Sequence, residues 1–95
     1  MLYIRISMMM PEKGKREEVK RLNQEISAFN RGQEGCRDSF VISAADNSGE
    51  LGRLSIWDSK EAAEGTANHQ HSLSRRSELH LAIQPGHAER SFFTA

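Results

Sequence analysis

Residues 51–71, LGRLSIWDSKEAAEGTANHQH, decide the fold. Leu54, Ile56 and Trp57 are good strand formers. Asp58-Ser59 follows at once, and either side chain can accept from the first free amides of a helix. Asp58 with Glu61 also approximates the reciprocal capping pattern. His69 and His71 close the stretch. A strand that ends in a large indole and turns straight into a helix sets polar helix side chains opposite that indole. This is a plausible pocket wall, and the first place to seek function.

Downstream, the pattern predicts a helical region with a break near Gly65 and Thr66, since glycine costs about 1 kcal/mol inside a helix. Its later part, Leu73 to Ile83, carries Leu79, Ala82 and Ile83 at helical spacing, although Leu79, Leu81 and Ile83 also fit a strand. Gln84-Pro85-Gly86 is a stop, and His87 to Thr94 reads as a short strand with Phe92 and Phe93. Upstream, Asp46-Asn47-Ser48-Gly49 is hairpin chemistry joining a strand from Cys36 to Ala44 to the strand ending at Trp57.

Further back, Val19, Leu22, Ile26 and Phe29 form one apolar stripe, which predicts a helix over 14–31 with Gly32 as a left-handed terminator. Residues 2–10 alternate. Leu2, Ile4, Ile6, Met8 and Met10 make a strongly apolar face, and Tyr3, Arg5, Ser7 and Met9 an amphipathic one. Pro11 ends that strand.

The order β-α-β-β-α-β predicts one α+β, ferredoxin-like domain over 1–95: a four-stranded antiparallel sheet, order 4-1-3-2, with both helical segments on one face. The other face would expose a large apolar patch, so two sheets are expected to pair into a homodimer, a dimeric α+β barrel. The size argues the same way, since a chain this short buries only about 60–65% of its unfolded surface.

Lys plus Arg and Asp plus Glu number 13 each, so no basic footprint for nucleic acid exists. Lys13, Lys15, Arg16, Lys20 and Arg21 are interleaved with Glu12, Glu17, Glu18 and Glu25, as on a solvated helix face. The single cysteine, Cys36, permits no intrachain disulfide and fits a reducing, cytoplasmic setting. Arg5, Ser7 and Pro11 interrupt the apolar start as a leader peptide would not, and no apolar run reaches the roughly 20 residues that span a bilayer.

Gly35-Cys36 entering the second strand, and Ile56-Trp57-Asp58-Ser59-Lys60-Glu61-Ala62 after the third, resemble the antibiotic biosynthesis monooxygenase group of small dimeric α+β-barrel proteins. The resemblance implies a homodimer with a pocket between each sheet and its helices. It also implies oxidation of phenols or quinols by dioxygen without metal or flavin in some members, and haem degradation in others. The group's H-x-x-S-x-H pattern falls here on Thr66, His69 and His71, so only its last position is kept. Haem-degrading members carry a second tryptophan and a further histidine where this chain has Thr66 and Arg76, and that activity is disfavoured.

Candidate site residues follow from both lines. Trp57 is either a stacking wall for an aromatic ring or a filler of core. His71 can take a phenol's proton, its ordinary pKa of about 6.5 being near working pH, or can be a hydrogen-bonded helix residue. Asn68 and His69 lie beside it. On a helix His69 and His71 diverge too far to share a metal, and no metal site is expected. Arg5 and Ser7 can hold an anionic oxygen or hydrogen-bond across a dimer interface. Cys36, with no histidine near it in sequence, reads as structural, and Met8-Met9-Met10 suits packing or a pocket lining. Two functions remain: a cofactor-free monooxygenase for an aromatic or quinol-type compound, or a non-catalytic dimeric barrel that binds a small molecule or serves in assembly.

Overall fold

The computed structural model describes residues 1–95. The elements run β1 (Tyr3–Met9), α1 (Arg16–Arg31), β2 (Cys36–Ser43), β3 (Leu51–Trp57), α2 (Lys60–Ala67), α3 (Gln70–Ala82) and β4 (Ala88–Phe93). All four strands form one antiparallel sheet in the order β2-β3-β1-β4. This is the expected arrangement. The amphipathic helix α1 lies over β2 and β3 and packs on α3, while α2 rests against β3. No helix is long and apolar enough to cross a membrane.

The main core joins α1, α3 and the sheet through Val19, Leu22, Ile26, Leu79, Met9 and Leu51. A smaller one packs Tyr3, Trp57 and Ala63, with Cys36 and Ala62 against them. Burial pushes the half-buried Cys36 thiol up, which suits a structural cysteine rather than a nucleophile.

Alternation along β1 sends Tyr3, Ser7 and Met9 under the helices and leaves the more apolar Ile4, Ile6 and Met8 on the uncovered face. There they adjoin Ile56, Leu54 and Phe92 across the strands. Arg5 pairs with Ser55 and Ser7 with Arg53, so these side chains point to the helices. A dimer-interface role for Arg5 and Ser7 on the open face is thereby corrected.

Two local expectations also change. Gly32 is right-handed (φ −88°), because the helix end is closed by its N–H to the Phe29 and Asn30 carbonyls. The left-handed glycine of this turn is Gly35 (φ +86°), where a Cβ would also come within 2.7 Å of Ala62 Cβ. The helical break falls at Asn68-His69, beyond Gly65. Ser59 caps α2 by accepting from Ala62 N at 3.1 Å, and His69 caps α3 by accepting from His71 N at 3.2 Å. A second cap restarts the helix, whereas exposed Gly65 is simply tolerated within α2. Asp58 instead forms a salt bridge with Arg37.

Candidate functional site: a cationic cleft beside the strand end

No helix covers β4, so the space between α2-α3 and the β1-β4 side of the sheet stays open as a cleft. Its inner throat is bordered by Ser7, Arg53, Ser55, Trp57, Asn30 and Ser72, and its mouth by Glu64, Asn68 and Ser91. Arg5, Ala67, Arg76 and Glu89 belong to both. The throat holds ≈ 30 Å³ of free space, room for a water or two or a group as small as a carboxylate, but not for a ring. The mouth holds ≈ 480 Å³, within the range of small-molecule sites.

Trp57 is 2% exposed, and its indole nitrogen donates to Ser55 Oγ at 2.8 Å. Packed against Tyr3 and Ala63, it forms part of the throat's wall while filling core. The indole thus fills core and borders the throat, but its ring presents no open face to the mouth on which an aromatic ring could stack.

The charges are unbalanced. Arg5, Arg53 and Arg76 enter the cleft, and none forms a salt bridge; the five in the chain lie elsewhere. Arg53 donates to Asn23 Oδ1 at 2.8 Å, Arg5 to Tyr3 Oη at 3.0 Å, and Arg76 to the Ala67 carbonyl at 3.4 Å. Removal from water holds the Arg53 pKa down at about 10; the Glu89 charge opposes this, and the charges of Arg76 and Arg5 add to it. Glu89 accepts from Ser7 Oγ at 3.3 Å. The Tyr3 hydroxyl donates to Ser91 Oγ at 2.9 Å. Burial acts to raise its pKa, but the bonds to Ser91 and Arg5 outweigh this and hold it below 10.

The histidines lie elsewhere. His71 stacks on Phe29 with ring centroids 4.3 Å apart and planes 8° from parallel, and His69 tilts against the same ring at 4.8 Å. Neither borders the cleft, whereas Asn68, Arg5, Ser7 and Trp57 do. His69 is non-helical, as a shared metal would need, yet no three His, Cys, Asp or Glu side chains converge into a metal-holding group.

Sequence reasoning missed Arg53, Arg76 and Glu89. Arg53 had a usable signal: counting back in twos from Trp57 puts Ser55 and Arg53 on the same face. Arg76 follows Ser72 by four residues and precedes Leu79 by three, the spacing of one helix face.

No family model and no curated protein matches the chain. Solved structures do match. Rv0793 from Mycobacterium tuberculosis superposes with a TM-score of 0.90 at 21% identity, over 100% of this chain and 96% of its own. A protein from Nitrosomonas europaea, assigned by name to the antibiotic biosynthesis monooxygenases, gives 0.87 at 13% identity, over 96% and 88%. SnoaB from Streptomyces nogalater, a cofactor-independent oxygenase, gives 0.84 at 13% identity, over 99% and 93%. The fold of this chain is that of the antibiotic biosynthesis monooxygenase-like α+β proteins.

Proposed function

We propose that the protein is a cofactor-independent monooxygenase acting on a phenol or quinol-type aromatic compound. The observation that carries this is the cleft itself. It joins a mouth large enough for an aromatic ring to a polar throat of guanidiniums and one carboxylate, at the strand end where the resemblance to such enzymes is concentrated. Similarity of fold to SnoaB supports the same reading.

In this scheme the ring enters the mouth with its hydroxyl toward Arg5 and Arg76. Glu89 takes the hydroxyl proton, and the guanidiniums stabilise the phenolate. The electron-rich ring carbon bonds to dioxygen, its C–H bond breaks, and the second oxygen atom leaves as water. Phenol and dioxygen thus give quinone and water, with the substrate as sole reductant. Two copies pair through the open sheet faces, completing the barrel.

Oxygen uptake with a panel of naphthols and hydroquinones tests this. The expected result is uptake that falls on Glu89→Gln and persists in His71→Ala. No uptake above buffer across the panel overturns it.

A further inference from the structure

We propose that the cleft selects an anionic aromatic ligand, one carrying a carboxylate beside its hydroxyl, and that Arg53 and Arg76 read that carboxylate. This deepens the oxygenase reading and rests on it only for the identity of the ring.

Three guanidiniums face one carboxylate in the throat, a formal excess of two positive charges there, although the chain as a whole is neutral; Glu64, at the mouth, is paired with Lys60. Like charges converge at a cost, and Arg5 and Arg76 are near enough for their charges to register on Arg53. Desolvation adds to that cost. Such an arrangement is usually relieved by acidic partners, yet none of the three is ion-paired. Glu89 is near, but its hydrogen bond is with Ser7.

Each guanidinium has one protein acceptor against five N–H donors, so donors remain for a ligand. A carboxylate supplies the matching acceptors in the planar geometry that guanidinium prefers. The dimensions limit the pose: the throat has no room for a ring, so the ring stays in the mouth and the small charged group points inward.

Isothermal calorimetry on the full chain can compare 1-hydroxy-2-naphthoate with 1-naphthol, at neutral pH and without oxygen. The naphthoate should bind about tenfold or more tightly, as charge-assisted hydrogen bonds imply, and added salt should erode the difference. Arg76→Gln and Arg53→Gln should each weaken the naphthoate by a much larger factor than 1-naphthol and so remove most of that preference, and Arg76→Lys should keep part of it. Half-exposed Arg76 provides a variant that does not rest on folding around Arg53. Equal affinity for the two ligands, no binding of either, or a preference that survives both glutamine variants overturns the proposal. Oxygen uptake is a separate readout. Uptake with a neutral naphthol and no carboxylate preference sinks the anion site alone, and the preference without any uptake sinks the oxygenase alone.

Discussion

The Arg53 guanidinium on β3 donates to Asn23 on α1 across 2.8 Å, and this is the side chain's one hydrogen bond to the protein. Asn23 is fully buried, and its amide nitrogen in turn bonds the Val19 carbonyl at 2.9 Å. The pair therefore ties α1 to the sheet and sets the direction in which the guanidinium faces the throat. Asn23→Leu, similar in size, removes the acceptor and leaves a desolvated cation without its bond. The expected loss is about 1–3 kcal/mol in urea unfolding, together with weaker binding of 1-hydroxy-2-naphthoate. Unchanged stability and unchanged binding would show that Arg53 is held by something other than Asn23.

Gly52 shows how closely β1 and β3 approach. A Cβ at this position would lie 1.8 Å from the Ser7 carbonyl oxygen and 2.9 Å from Met8 Cα. Those atoms are backbone in the centre of the sheet, so no side chain can swing away. Gly52→Ala should destabilise by about 3 kcal/mol, near the top of the usual range for overpacking, or yield insoluble protein. Thermal unfolding at the wild-type midpoint would count against so tight a contact.

The element order and strand pairing were legible because each rests on a repeating pattern: alternation in β1, the apolar stripe of α1, turn chemistry before Gly49. The cleft was less legible because its charges come from three separate segments, brought together only by the sheet register. Arg5 and Ser7 were read from β1, but their direction depends on pairing with Ser55 and Arg53. His71 illustrates the limit more sharply. Proximity in sequence to Trp57 suggested a shared pocket, yet the turn at Asn68-His69 sends His71 onto Phe29 instead.

The open face offers a test of pairing. Ile4, Ile6, Leu54 and Ile56 lie side by side there, with Phe40 (45% exposed) and Phe92 (38% exposed) flanking them. A patch of this kind is uncommon on monomers. Sedimentation at micromolar concentration should give the mass of two chains for the wild type and of one chain for Ile6→Glu combined with Leu54→Arg. A wild-type protein that sediments as single chains would remove the barrel, though not the cleft.

Acid stability should report on the contact between α1 and α3. Glu25 accepts from both Arg21 and Arg75, the latter at 3.3 Å. Desolvation acts to raise its pKa, but the bonds and charges of the two arginines prevail and hold it below the ordinary 4.5. As pH falls the unfolded chain takes up the proton first, so the stabilisation is complete above the unfolded value and is lost as pH drops through the folded one. The Glu25 and Arg75 side chains are about a third exposed (34% and 30%), and solvent screening limits the Arg75 contribution to about 0.5 kcal/mol. Arg75→Gln should therefore be slightly less stable than wild type at neutral pH, with the gap closing in acid, below 4.5, as pH falls through the folded-state value and Glu25 becomes protonated. Urea midpoints measured across that interval decide the matter: a gap that persists unchanged in acid would mean that Arg75 acts through packing of its aliphatic stem and not through the carboxylate.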